Sequence, residues 1–299
     1  MTEHYLDDNV THAFWDQSIE PRLEIAPGDT VVIECQEATG GQITPDSESD
    51  IVARLDSSRI HALTGPIFVK GARPGDVLEI DIVDMQHKGW GWSAHLPGFG
   101  LLADDFGFPY LQHWNLQGDR CFSDPMPGIT LPYEPHPGCV GVAPQEPGRL
   151  HTTPPRFNGG NVDIRDMTIG SKIWMPVFVE GALFSTGDCH AAQGQGEVCG
   201  TGIESPMTVT MRFNIRKDMS LREIQLQRPS PTSRADNSGH HITTAHGPDL
   251  MENARNALRY MIDWLEQSHG LTRSQAYILC GAVADLKISQ IVDLPNWIV

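Results

Sequence analysis

The sequence predicts a mainly β (α+β) protein, a duplicated β-sandwich-like unit followed by a C-terminal helical hairpin. Three observations carry that expectation. Apolar and polar residues alternate over several short runs in the first two thirds of the chain. A glycine-bearing segment recurs about a hundred residues after its first appearance, Phe68 against Phe178. Beyond residue 228 the apolar spacing turns helical. The 29 glycines and 22 prolines are spread rather than bunched, as expected where many turns join short strands.

Taken in order, Pro27-Gly28-Asp29 forms a turn, and Thr30-Val31-Val32-Ile33-Glu34-Cys35 is rich in β-branched residues, hence a strand. Pro74-Gly75-Asp76 repeats the arrangement, and after it Leu78, Ile80 and Ile82 alternate with Glu79 and Asp81. Ile173-Trp174-Met175-Pro176-Val177-Phe178-Val179 is too apolar for a surface loop and reads as a buried strand. Met207, Val209, Met211, Phe213 and Ile215 alternate with Thr208, Thr210, Arg212 and Asn214, the cleanest strand of the chain. Phe68-Val69-Lys70-Gly71-Ala72 leads to Gly75-Asp76, and Phe178-Val179-Glu180-Gly181-Ala182 leads to Gly187-Asp188. Such an echo points to a duplicated β unit.

Arg228-Pro229-Ser230-Pro231-Thr232-Ser233 separates a β-rich part, 1–227, from a loop-and-helix part, 228–299. No linker is long enough to separate two domains, so 1–299 is expected to be a single domain. Met251, Ala254, Leu258, Met261 and Leu265 define an amphipathic helix that stops at His269-Gly270. Thr272 and Gln275 form a capping box for a second helix through Ala276, Leu279, Ala282, Val283 and Leu286, and Ser289–Asp293 is expected to return as a strand.

A net charge of −17 argues against nucleic acid and against anionic membranes as partners. Six cysteines are too sparse for a disulfide scaffold, and no Cys-x-x-Cys pair suggests a zinc ribbon. The acidic start, Met1 to Asp8, lacks the apolar core of a secretory signal, and no apolar run reaches membrane-spanning length. A cytoplasmic protein with reduced thiols is the expectation.

Chemistry concentrates in Gly187-Asp188-Cys189-His190-Ala191-Ala192-Gln193-Gly194-Gln195-Gly196-Glu197, just past the buried run. Asp188 and His190, two apart on extended chain, project to one side and can approach one cation. They supply two of the three protein ligands of a catalytic zinc; His61 is the candidate third, and Glu197 an unligated base. Asn161 and Asp163, in Asn158-Gly159-Gly160-Asn161-Val162-Asp163, either add hydrogen bonds or a ligand, or form an Asx-capped turn. Cys189 and Cys199 are candidate nucleophiles, although His190 and Cys189, as neighbours on a strand, face opposite sides. No Gly-x-Ser-x-Gly elbow appears. His240, His241 and His246 lie in a polar loop whose spacing assigns them no role, and His12 to Trp15 either lines a pocket or packs.

Together these motifs mark a resemblance to the acetamidase/formamidase family along nearly the full length. The matching segments include His12–Trp15, Ser18–Pro21, Pro27–Val31, Thr64–Val69, Asn158–Asp163, Phe178–Ser185, Gly187–Gly194, Gly196–Gly202 with Glu204, Met261–Asp263 and Ser289–Asp293. The resemblance implies a β-sandwich with C-terminal helices, a homo-oligomer, and hydrolysis of the C–N bond of short aliphatic amides. Two departures stand out: Gln195 where the family often has aspartate, and Ala62 after His61 where proline is frequent. Family and chemistry together suggest a divalent metal, zinc by its mixed nitrogen and oxygen donors, on His61, Asp188 and His190. Glu197 would be the proton carrier, and Asn161, Asp163 and Gln193 would contact the amide. The alternatives are a thiol amidase using Cys189 or Cys199, and a non-catalytic amide- or metal-binding protein.

Overall fold

A seven-stranded sheet runs in the order Glu3–Leu6, Thr30–Cys35, Met207–Arg216, Val77–His87, Lys172–Pro176, Gln225–Arg228, His240–Thr243. The computed structural model describes residues 1–100, 107–128, 130–197, 199–228, 240–271 and 286–299. A six-stranded sheet packs against it, ordered Gly159–Asn161, His136–Gly141, Phe184–His190, Leu63–Val69, Thr11–His12, with Leu23–Ile25 also paired to Leu63–Val69. The main core lies between them and draws Ile33, Ile80, Met207 and Phe213 from one sheet and Ile67, Val140 and Phe184 from the other. Phe184 and Phe213 meet across it edge to face, with ring centroids 5.2 Å apart. Each large side chain so buried stabilises the fold by about 1.5–3 kcal/mol.

The expected alternation is present. In Met207–Arg216 the residues Met207, Val209, Met211 and Phe213 are buried, while those between are more exposed. A four-stranded sheet, Thr130–Pro132, Arg120–Phe122, Tyr110–Gln117, Trp90–His95, joins the six-stranded one through Glu204, which bridges both Trp92 and His190.

The sequence echo becomes two neighbouring crossovers. The first copy carries the chain from Leu63–Val69 to Val77–His87, and the second from Lys172–Pro176 to Phe184–His190. The strands before and after each crossover pair antiparallel with those of the other copy: Leu63–Val69 with Phe184–His190, and Val77–His87 with Lys172–Pro176. Between them Val69 N donates to Gly181 O (2.9 Å), Gly181 N to Ala72 O (3.0 Å) and Gly75 N to Val177 O (3.0 Å). Exchanging the copies maps one strand pairing onto the other. Duplication has thus built a pseudo-twofold crossing between the two sheets.

The helix Leu250–His269 starts at Asp249, whose side chain accepts from Glu252 N, and ends at Gly270 with φ 65°. The second helix expected from Thr272 and Gln275 lies outside the described residues. Ser289–Asp293 is not the strand expected. Only Gln290 makes bridge contacts, to Gly196 and Ile298. Its side-chain oxygen accepts from Val292 N and Asp293 N, both at 3.0 Å. This curls the backbone into a turn, and Trp297–Ile298 pairs with His246–Gly247 instead. No helix among the described residues is long and apolar enough to cross a membrane.

Candidate active site

Phe184–His190 is buried along its whole length, with a main-chain irregularity at Asp188, where φ is 54°. Asp163 and Glu197 share this left-handed geometry, with φ of 47° and 48°. Three of the five described non-glycine residues with positive φ are therefore acidic residues of one cluster. Each such conformation costs about 1–3 kcal/mol and persists only where surrounding structure enforces it.

His190 is the hub. Its Nε2 lies 3.0 Å from Glu204 Oε2, 3.8 Å from Glu197 Oε1 and 3.9 Å from Asp188 Oδ1. Its Nδ1 lies 3.2 Å from His136 Nε2 and 3.9 Å from Asp163 Oδ1. On the far side of Asp188, His61 Nε2 is 3.8 Å from Oδ2. The structure therefore brings together five residues singled out by sequence: His61, Asp163, Asp188, His190 and Glu197. Asn161 and Gln193 are adjacent but already engaged. Asn161 accepts from the Cys139 thiol (3.1 Å) and donates to Asp293 Oδ2 (2.6 Å). Gln193 donates to Asp163 O (2.9 Å), and its Oε1 is 2.9 Å from His136 Nε2.

Sequence reasoning missed His136, Cys139, Glu204 and Asp293. The first two arrive because His136–Gly141 pairs antiparallel with Phe184–His190, with His136 opposite His190 and Cys139 opposite Gly187. The signal was His136-Pro137-Gly138-Cys139, two metal-capable side chains opening an apolar run. Glu204 is held by main-chain bonds of its neighbours, Ala191 N to Ile203 O and Ser205 N to Cys189 O, both 2.8 Å. Gly138 matters for what it lacks. A Cβ there would stand 2.7 Å from Asp163 Oδ1, Asp188 O and Asp188 Oδ2, so a side chain would fill the space among those oxygens.

Five carboxyls, on Asp163, Asp188, Glu197, Glu204 and Asp293, are buried together. No described lysine or arginine lies within ion-pair distance of any of them. Burial pushes Asp163 well above the usual carboxylate range, and Glu197 and Asp293 push it further. Burial raises Glu197 likewise, with Asp293 and Glu204 adding to it. Asp293 rises to about 7, through burial and then through Asp188. For Asp188 burial opposes ionisation, but His61 and His190 favour it and hold it below the usual range. Burial and the Asp188 charge raise Glu204 well above the usual carboxylate range. Burial also keeps His61 and His190 below the usual histidine range.

Both Asp163 carboxylate oxygens and Glu204 Oε2 are buried without a hydrogen-bond partner. Orphaned acceptors of this kind cost several kcal/mol unless something positive meets them. Crowded like charges, unpartnered oxygens, the space left at Gly138 and a mixed nitrogen and oxygen donor set fit a divalent cation. Among the described residues, three groups have ligand atoms within 4.8 Å of one another: His61, Cys139 and Asp188; Asp163, His190 and Glu197; Asp188, His190 and Glu204.

The thiols are placed less favourably for chemistry. Cys189 faces the core, and a hydrogen bond with Cys35, followed by burial, raises it well above the usual thiol range. Cys199 is exposed and donates to Thr201 O at 3.3 Å. His241 stacks on Trp264 at 3.8 Å, and His246 Nδ1 sits 2.7 Å from Glu223 Oε2. His240 lies in the same edge strand as His241, opposite Arg228. His12 Nε2 is 2.9 Å from Ser185 Oγ, and Trp15 packs over Gly141, so this aromatic stretch buttresses the site strands.

An acetamidase of Mycolicibacterium smegmatis is 34% identical to the chain, the match covering 69% of the chain and 66% of the acetamidase. The chain thus spans just under two thirds of that relative's length. A formamidase of Methylophilus methylotrophus is 28% identical over 97% of the chain and 87% of its own length. The crystal structure of an acetamidase from Bacillus halodurans superposes with a TM-score of 0.89 at 31% identity, covering 98% of this chain and 95% of that one. The model of the Acetamidase/Formamidase family matches residues 2–150 and 148–299. With both matches running the length of the chain, and with this fold beneath them, the protein belongs to the acetamidase/formamidase family.

Proposed function

We propose that the chain hydrolyses the C–N bond of a short linear amide, of the formamide and acetamide class, to ammonia and a carboxylate with the help of a divalent cation. One observation carries this reading: His190 and four buried carboxyls converge, with carboxylate oxygens of Asp163 and Glu204 left unpartnered. The names of the relatives support the substrate class. Zinc suits the donors best, with Asp188, shared between His190 and Glu204 on one side and His61 on the other, the residue at the centre of those that would hold it. Bound there, such a cation supplies Lewis acidity, polarising a carbonyl and making a water more acidic.

The chain's own residues do the rest. An amide is a poor electrophile with a poor leaving group, so a proton must be taken from water and delivered to nitrogen. Glu197 is the proton carrier: 3.8 Å from His190, and with a proton affinity raised first by burial and then by its acidic neighbours. Asp163 orients the substrate with its free oxygens, while Asn161 and Gln193 fix Asp293, Asp163 and His136 around it. The thiol alternative is disfavoured by the raised Cys189 and by its facing the core.

The site draws residues from His61 to Asp293, which supports 1–299 acting as one domain. The five described cysteines are free thiols, which suits a reducing cytoplasm. A homo-oligomer acting on a small amide, with no nucleic-acid partner, is the form in which we propose it works.

The test is ammonia release from formamide and acetamide by the purified chain. Chelation should abolish it and zinc restore it, and Glu197→Gln should lower turnover by roughly 10²–10⁴-fold. Activity that survives chelation but not alkylation would instead establish the thiol route. No ammonia from either amide would remove the substrate assignment.

A further inference from the structure

Thr152 makes three contacts through one hydroxyl. Its Oγ1 donates to Ile60 O (3.0 Å), accepts from His61 N (3.0 Å) and lies 3.2 Å from His61 Nδ1. A hydroxyl has a single proton, and Ile60 O takes it. His61 Nδ1 must therefore be the donor in the third contact. The tautomer follows: a neutral His61 carries its hydrogen on Nδ1 and presents a bare lone pair at Nε2. That lone pair faces Asp188 Oδ2 at 3.8 Å, acceptor against acceptor.

Asp188 is engaged in the same way on its other oxygen, where Oδ1 lies 3.9 Å from His190 Nε2 and Glu204 Oε2 approaches that nitrogen to 3.0 Å. The two carboxylate oxygens thus serve two different donor sets, His61 with Cys139 on one side and His190 with Glu204 on the other. Five buried carboxyls surround them without a described lysine or arginine at ion-pair distance.

We propose that this centre binds two divalent cations bridged by Asp188, one on the His61 side and one on the His190 side, with Thr152 as the positioning residue that turns His61 Nε2 toward the first. The inference rests on the metal-assisted reading above and deepens it. A carboxylate whose two oxygens each meet a cation is a recurrent device in two-metal hydrolytic centres. Thr152 acts through its hydroxyl, and loss of such an outer partner typically weakens metal binding by about 10–100-fold.

Zinc bound per chain, measured by mass spectrometry after loading and desalting, is the test, with a Co²⁺ titration followed by absorbance as a second readout. The wild type should bind two ions in two phases. His61→Ala should lose one phase and Glu204→Gln the other. Thr152→Val should weaken only the His61-side phase by about 10–100-fold, and Thr152→Ser should restore it. Near-ultraviolet circular dichroism confirms that each variant is folded, and the Val/Ser pair carries the test should His61→Ala fail to fold. A single ion at saturation, with amide hydrolysis still chelator-sensitive, overturns the second cation but leaves the proposed function standing. No ion at all, with hydrolysis insensitive to chelation, overturns both.

Discussion

Gly75-Asp76 and Gly187-Asp188 follow the two copies of the repeated segment, and their carboxylates live in different worlds. Asp76 lies in a surface turn, accepting from Arg73 N and pairing with Lys217 Nζ, both at 3.0 Å. Asp188 is buried in mid-strand, on left-handed backbone, with a histidine on each side. The spacing from the repeated phenylalanine differs, eight residues to Asp76 and ten to Asp188, by the sequence numbering. The first copy therefore meets its aspartate before the strand begins, the second only once the strand is under way. What creates the site is not the Gly-Asp pair but the neighbours each strand is delivered to. His136–Gly141, His61 and Glu204 surround the second and, among the described residues, have no counterpart at the first.

The comparison is sharpened most by removing each carboxylate in turn. Asp188→Asn should abolish measurable amide turnover and zinc retention, whereas Asp76→Asn should leave activity intact and change stability by no more than about 0.5 kcal/mol. Equal losses from the two variants would break the contrast. Gly138→Ala is expected next in size: the added methyl meets Asp163 and Asp188 oxygens at 2.7 Å. It should cost about 1–3 kcal/mol in urea unfolding, and zinc affinity should fall with it.

Acid should weaken the brace on the second copy. His12 braces Ser185 at the start of the second site strand, with its Nδ1–H donating to Phe14 O (2.8 Å) and Nε2 accepting from the Ser185 hydroxyl (2.9 Å). Burial lowers its pKa from 6.5 to about 4. The unfolded chain thus binds the proton more readily than the folded one, and stability from this group is full above pH 6.5 and falls as pH drops toward 4. His12 alone should account for roughly 2 kcal/mol of the stability lost between pH 8 and pH 5, and His12→Asn should shrink the loss by about that much when the two are compared by denaturant unfolding. Smallest of all, Cys189→Ala should keep near-normal turnover and cost about 1 kcal/mol, because that thiol packs in the core beside Cys35.

Elements defined by local patterning were legible in the sequence. Thr30–Cys35 has the expected bounds, Met207–Arg216 alternates as expected, and the helix stops at Gly270. His61, Asp188, His190 and Glu197 could be picked out because each stands in a glycine- or turn-rich setting. His136, Cys139 and Glu204 were hidden because their proximity is set by strand register, His136 opposite His190 and Cys139 opposite Gly187, which no local pattern encodes. Asp293 was masked by an apolar-looking run that the Gln290 side chain bends into a turn.

Glu204 is clamped to Trp92 by a reciprocal pair of main-chain bonds, Trp92 N to Glu204 O (2.9 Å) and Glu204 N to Trp92 O (2.8 Å). Its carboxyl is thus anchored to the outer four-stranded sheet as firmly as to the strand bearing His190. Heating or mutation that loosens that four-stranded sheet will shift a donor atom of the reactive centre before the strands of the two larger sheets come apart. Inactivation is therefore expected to precede global melting, and the gap between the two temperatures measures how tightly this seam is sewn.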